Sequence, residues 1–218
     1  MLLSFPKSGR TWIRAFLVIY EDLSGIPTEI IYKHQVFHKN PKRKRLLLVR
    51  DPCDILVSLF WENKYRSNLR SKKRYLRDFG FFIRSPQGAE HISRCWNSWL
   101  NDGAKQLEIK YEDLQNCIWE KILRWFRIEV KKDIVLEANE LCKFDNLRKN
   151  LHRFKGHEWE TKFLAKENQA YTTHPKNPET HKFRRGKIGG YVDYLSPDDI
   201  NYIRKHVPEA ARWYREYT

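Results

Sequence analysis

The chain begins with a strand-sized apolar run, Leu2 to Phe5, that Pro6 cuts off. A tight turn, Lys7-Ser8-Gly9, comes next. Then Trp12, Ile13, Phe16, Leu17, Tyr20 and Leu23 recur at helical spacing until Gly25 and Pro27 close the segment. A run too short for a helix, followed at once by a 3.6-residue period, is best satisfied by a strand that feeds a helix through a glycine turn. The pattern returns at Leu46 to Val49, an unbroken apolar run of the kind found in a central parallel strand. Asp51-Pro52 breaks that run, and Ile55, Leu56, Leu59 and Phe60 predict a second helix. Two more strand-like runs lie at Glu29 to Lys33 and, alternating, at Leu107 to Tyr111. Helical spacing recurs over Ile92 to Leu100, Ile118 to Phe126 and Ile134 to Leu141. Strands alternating with helices imply an α/β fold, a parallel sheet flanked by helices in three layers.

The 218 residues suit a single domain, 1–218, with no internal repeat and no boundary signal. Residues 79–88 read as a loop around Pro86. Residues 146–191, polar and rich in Gly and Pro, read as a long loop or lid. Ser196-Pro197-Asp198-Asp199 is a helix start, with a Ser cap, Pro in the first position and acids in the first turn.

A formal net charge of +15 points to an anionic partner, whether nucleic acid, acidic membrane, polyanion or a phosphate-rich cofactor. No apolar run approaches the roughly 20 residues that span a bilayer, so no transmembrane segment is expected. The N-terminus lacks the basic region, long apolar stretch and cleavage site of a signal peptide. The four cysteines form no CxxC pair and signal neither a zinc site nor a disulfide framework. Buried thiols in a reducing, cytoplasmic setting are the expectation, with no metal.

Three segments carry chemistry. In Phe5-Pro6-Lys7-Ser8-Gly9-Arg10-Thr11-Trp12 a strand ends and a helix begins, so backbone N–H groups with partial positive charge face an incoming anion. Lys7 adds a cation, and Ser8 and Thr11 add hydroxyl donors. The order of residues is not that of a Walker loop, because Lys7 precedes the only glycine. In the second segment Arg50 stands at the end of the Leu46–Val49 strand, the edge where open α/β sheets bind ligands. Ser58 lies two helical turns further on. Surface pairing of Arg50 with Asp51 or Asp54 is the alternative. In the third, Arg184-Arg185-Gly186 with Gly189 sets two guanidinium groups beside glycines, as an anion clamp or a solvated basic loop.

Together these segments resemble the 3′-phosphoadenosine-5′-phosphosulfate (PAPS)-dependent sulfotransferases, in their P-loop-NTPase-like fold and in the family's motif order from Pro6 to Tyr191. Phe-Pro-Lys-Ser-Gly-Arg-Thr-Trp looks like the family's 5′-phosphosulfate loop. Arg50 and Ser58 match its 3′-phosphate pair, and Tyr111-Glu112-Asp113 resembles a Tyr-Glu-Asp that follows a later strand. The resemblance implies PAPS as donor and 3′,5′-ADP (PAP) as product. It implies Lys7 at the oxygen bridging phosphate and sulfate. Pro6, Ser8, Gly9, Arg10 and Thr11 would line the 5′-phosphate. Arg50, Ser58, Arg184, Arg185 and Gly186 would hold the 3′-phosphate. Trp12 and Tyr111 would lie near adenine, although Trp12 also fits plain core. Arg10 replaces the family's usual first Thr in the loop, which removes a hydroxyl and adds a cation.

A sulfuryl acceptor, hydroxyl or amine, must lose a proton, and His suits that task near neutral pH. The family often carries Lys-Thr-His after its second strand; here the place reads Ile31-Tyr32-Lys33-His34-Gln35, which makes His34 the expected base. His38 stands next, and Glu29 is the nearby carboxylate. The basic groups Lys39, Lys42, Arg43, Lys44 and Arg45, and those from Lys64 to Arg77, read either as solvated faces or as a surface for an anionic acceptor. Two other readings compete, a P-loop nucleotide kinase and a basic nucleic-acid-binding module. The first lacks the Walker Lys and the second lacks a recognised motif, so no specific nucleic-acid partner is expected.

Overall fold

A computed structural model describes residues 1–33, 44–65, 75–116, 118–143, 146, 179 and 187–218. Four parallel strands, β1 (Leu2–Ser4), β2 (Tyr32–Lys33), β3 (Arg45–Val49) and β4 (Gln106–Lys110), form one sheet in the order β2-β1-β3-β4. Leu2 stands opposite both Tyr32 and Leu46, and Leu46 in turn opposite Leu107. All four predicted strands are present. The third gains Arg45 at its start, and the second shortens to its last two residues.

The side-chain alternation of each strand sorts the core into two halves. Leu2, Leu46, Leu48 and Ile109 face α1 (Arg10–Ser24), α5 (Trp119–Phe126) and α6 (Lys132–Cys142). On this side Phe16 stacks flat on Trp119, with ring centroids 4.1 Å apart. Leu3, Leu47 and Val49 face the other way, toward α2 (Pro52–Tyr65), α4 (Ala89–Leu100) and α7 (Pro197–His206). Helices therefore cover both faces, as a buried parallel sheet requires, and the expected three layers are present.

The predicted loop at residues 79–88 contains one short helix, α3 (Phe79–Ile83). Asp78 caps it by accepting the Phe81 N–H at 2.7 Å, which replaces the amphipathic period the sequence lacks there. At α7 the expected start is a full capping box: the Ser196 hydroxyl accepts from Asp199 N–H, and the Asp199 side chain accepts from Ser196 N–H. Most of the 146–191 stretch lies outside the described residues. Its end leads into a short 3-10 turn, Gly190–Asp193.

Arg45, grouped above with an exposed basic cluster, is instead a buried strand residue with its side chain 2% exposed. Its neighbour Lys44 is exposed, with its ammonium over the Trp125 ring. Among the described residues no helix is long and apolar enough to cross a membrane. Cys53 and Cys142 are buried, and Cys95 is half-buried.

Candidate functional site

The chain runs from β1 outward to β2 and then crosses back to β3 on the other side of β1. The gap between the ends of β1 and β3 is therefore a topological switch point, the place where such sheets hold ligands. The Lys7–Thr11 loop leaves β1 there, and Arg50 leaves β3.

The loop is held in a left-handed bend. Lys7 has φ 73° and Gly9 φ 91°. A side chain at Gly9 would be strained by that φ, and its Cβ would run into the Tyr111 ring. Lys7 has no such freedom, and a non-glycine residue held at positive φ is a cost that functional loops commonly carry. Ser8 N–H donates to the Phe5 carbonyl at 3.2 Å, and the N–H groups of Trp12 and Ile13 converge on the Gly9 carbonyl. The Ser8 hydroxyl is buried and has no hydrogen-bond partner among the described residues. An orphaned buried donor of this kind calls for a ligand or water.

Arg50 shares that property. One terminal nitrogen, Nη1, donates to the Lys7 carbonyl at 3.1 Å, which ties the β3 edge to the loop. The other, Nη2, lies 3.6 Å from Asp54. The guanidinium sits 4.3 Å over the Tyr111 ring, and its Nε is buried without a partner among the described residues. Tyr111 opens the 3-10 turn Tyr111–Asn116 directly after β4, and burial pushes its hydroxyl pKa up, so the ring meets Arg50 as a neutral face.

Of the residues predicted to bind, Lys7, Ser8, Gly9, Arg50 and Tyr111 are thus in mutual contact or linked by one neighbour. Pro6 is half-buried within the loop, and Arg10 and Thr11, also half-buried, open α1. Ser58 is half-buried on α2. Trp12 is half-buried; its indole N–H donates to the Cys142 thiol at 3.3 Å, and its ring meets Tyr111 and Trp119 edge-on. Glu29 is exposed and precedes β2, so it stands toward the edge where strands begin, away from Lys7. His34, His38, Arg184, Arg185 and Gly186 lie outside the described residues.

Two carboxylates of the site were not foreseen in these roles. Asp54 is buried, and beyond its long contact to Arg50 it accepts the N–H of Gly189 at 2.9 Å and of Tyr191 at 3.1 Å. It therefore fastens the chain that follows Arg184-Arg185-Gly186 to the Arg50 edge. Glu62 lies 2.6 Å from the Lys7 ammonium. The spacing Arg50-Asp54 and Ser58-Glu62, each one helical turn, was the available signal.

Behind Arg50 the C-terminal segment closes over two more acids. Tyr217 donates to Asp51 at 2.8 Å, Tyr214 donates to Glu112 at 2.9 Å, and Asp51 N–H reaches Glu112 at 3.3 Å. Burial pushes the Asp51 carboxyl up to about 6, against the opposing pull of the Tyr217 hydroxyl and the Cys53 N–H.

A sequence profile described as a sulfotransferase domain matches residues 30–214. The chain belongs to the sulfotransferase family. The profile match starts after the Lys7 loop, so that loop's role rests on its geometry and its motif. Cytosolic sulfotransferase 15 of Arabidopsis thaliana is 26% identical over 181 residues, covering 76% of this chain and 45% of the relative. Cytosolic sulfotransferase 14 of the same plant is 27% identical over 187 residues, 76% of this chain and 47% of its own length. The chain thus spans about half the length of these curated relatives. Among solved structures, mouse sulfotransferase SULT7A1 complexed with PAP superposes with a TM-score of 0.63 at 19% identity, over 99% of this chain and 84% of that one. That likeness supports the fold: this member of the sulfotransferase family has the family's α/β architecture.

Proposed function

We propose that this sulfotransferase-family chain moves the sulfuryl group of PAPS to a hydroxyl or amine acceptor, in line and opposite the departing PAP. The observation that carries the reading is the pair of orphaned donors at the switch point, Ser8 Oγ within the Lys7–Thr11 loop and Arg50 Nε at the end of β3. Two buried donor sites beside β1 and β3 suit a ligand that carries two separate phosphate groups. The solved relative holds PAP, which is such a ligand. The donor, once bound, supplies an activated sulfuryl group on a phosphate leaving group.

The chain's own residues do the rest. Lys7 offers its ammonium to the bridging oxygen, where negative charge grows as the bond breaks. Ser8, Gly9, Arg10 and Thr11 present backbone and hydroxyl donors to the 5′-phosphate, beside Pro6. Arg50 and Ser58, with Arg184, Arg185 and Gly186, take the 3′-phosphate. Trp12 and Tyr111 offer ring faces to adenine, a contact that tolerates many bases. His34, the residue directly after β2, removes the acceptor proton. No metal enters this scheme. Lys7, Arg10, Arg50, Arg184 and Arg185 are five of 42 basic residues, so the excess charge is left for steering anions or for an anionic acceptor. The names of the plant relatives favour a cytosolic setting.

The test combines binding and turnover. PAP is expected to raise the melting temperature more than ATP with Mg²⁺ does, because a ligand selective for the folded state stabilises it. With labelled PAPS and a panel of phenols, alcohols, amines and sugars, Lys7→Ala is expected to lose at least about 100-fold in kcat with an unchanged fold. In the same assay His34→Ala is expected to lose kcat rather than PAP affinity. Near-wild-type turnover of Lys7→Ala would overturn the mechanism. ATP-selective stabilisation would move the chain to the kinases, and steeply salt-dependent RNA or DNA binding without PAP binding would move it to the nucleic-acid binders.

A further inference from the structure

We propose that Glu62 is the counter-ion of Lys7, a positioning residue that an anionic donor must displace from the ammonium before transfer. The proposal rests on the reading above that Lys7 meets a phosphosulfate.

Both ends of the Lys7 side chain are constrained. At its root the backbone is left-handed, and Arg50 grips the carbonyl at 3.1 Å. At its tip the ammonium lies 2.6 Å from Glu62 Oε1. Glu62 stands one turn after Ser58 on α2, so the two share the helix face that passes the loop. The Lys7 side chain is 16% exposed and that of Glu62 35%, so the pair is shielded from salt better than a surface pair, while the carboxylate keeps a path to water.

The arrangement has an electrostatic logic. Lys7 and Arg50 are two cations gathered at one sheet edge, and a carboxylate between loop and helix offsets their repulsion when no anion is bound. A donor brings phosphate and sulfate oxygens to the same ammonium. At hydrogen-bond distance from that ammonium, Glu62 competes for its N–H groups and repels the incoming oxygens. Binding is then an exchange of one anion for another at Lys7. The donor meets an ammonium already extended across the loop, and its affinity is held below what the cations alone would give.

The test measures PAP affinity by calorimetry for the wild type, Glu62→Gln, Glu62→Asp, Lys7→Met and the double variant Lys7→Met/Glu62→Gln, with melting temperatures as a check on folding. Glu62→Gln is expected to bind PAP about three- to tenfold more tightly, since it keeps the shape and removes the charge. Glu62→Asp is expected to stay nearer the wild type. In the Lys7→Met background the gain from Glu62→Gln is expected to shrink to within about twofold, because the carboxylate no longer competes for the ammonium. Steady-state kinetics with PAPS should show the gain as a lower donor KM rather than a higher kcat.

An affinity for Glu62→Gln within about twofold of wild type would overturn the counter-ion role. So would an equal gain with and without Lys7, which would reduce Glu62 to general repulsion. Failure of the wild type to bind PAP at all would instead overturn the functional reading on which this one rests.

Discussion

Strand β3 has an arginine at each end, and the two live differently. Arg45, where the strand begins, is satisfied throughout. Its Nε and Nη2 donate to Gln106, Nη2 also to the Trp99 carbonyl, and Nη1 pairs with Asp102. Every partner is close, and both charges are buried. Arg50, just past the strand's end, is 11% exposed and has one good hydrogen bond, one long ion contact and an orphaned Nε. Burial alone does not separate the two. Satisfaction does: a buried cation whose three nitrogens are all partnered holds structure together, whereas one with a donor to spare can still take up an anion.

The contrast breaks most directly on paired truncations. Arg45→Ala strands Asp102 in the interior and is expected to cost about 3–5 kcal/mol in chemical denaturation. Whatever remains folded should bind PAP within about threefold of wild type. Arg50→Ala is expected to do the reverse, weakening PAP about 100-fold while changing stability by about 1 kcal/mol or less, because it removes few fully formed bonds. Equal losses of stability in the two variants would show that Arg50 is structural as well.

A smaller effect is expected one turn further on. Asp54 gives both oxygens to backbone N–H groups of Gly189 and Tyr191 while facing Arg50. Asn in its place has one accepting oxygen, so one of those N–H groups loses its partner and Arg50 loses its counter-charge. Asp54→Asn is therefore expected to cost about 1–2 kcal/mol of stability and about tenfold in PAP affinity, read by denaturation and calorimetry. A stability loss with unchanged PAP affinity would confine Asp54 to packing and leave Arg50 independent of the 187–191 segment.

The fold was largely legible because its signals are local. Four strand-like runs, three of them followed by a helical period, specify strands and helices, and the two-face alternation of Leu2-Leu3 and Leu46-Leu47 specifies the layers. Helix α3 escaped because Phe79-Gly80-Phe81-Phe82-Ile83 is too short and too uniformly apolar to show a period; its start depends on one cap, Asp78. In the site, Lys7, Ser8, Gly9, Arg50 and Tyr111 were readable from chain order. Asp54 was legible only as a neighbour of Arg50; its bonds to Gly189 and Tyr191, and the contact of Glu62 with Lys7, were not, since those partners lie far along the chain. Arg45 was misread for the same reason: its charge resembles its basic neighbours, and only Asp102, Gln106 and Trp99 reveal that it is buried. Acids that answer distant groups leave no periodic trace.

The smallest effect concerns Asp51, one residue past Arg50, and tests how far the unsatisfied edge extends. Burial raises its carboxyl from the ordinary 3.8 to about 6, although Tyr217 and Cys53 both donate to it. The folded state thus holds this proton more firmly than the unfolded chain does. Its contribution to stability is fully present below about pH 4 and is lost as pH rises through about 6. At neutral pH the ionised carboxylate is therefore a liability on the order of 3 kcal/mol, since each pKa unit corresponds to about 1.4 kcal/mol. Asp51→Asn keeps an oxygen for Tyr217 and Cys53 and removes the charge. Measured by denaturation at a series of pH values, the stability of Asp51→Asn relative to wild type is expected to rise by on the order of 2 kcal/mol between about pH 4 and pH 7. Taking the difference cancels the other titrating groups, which the two proteins share. A flat difference would mean that Asp51 ionises in the fold as freely as in water. The strain at this edge would then stop at Arg50 rather than extend into the acids that Tyr214 and Tyr217 cover.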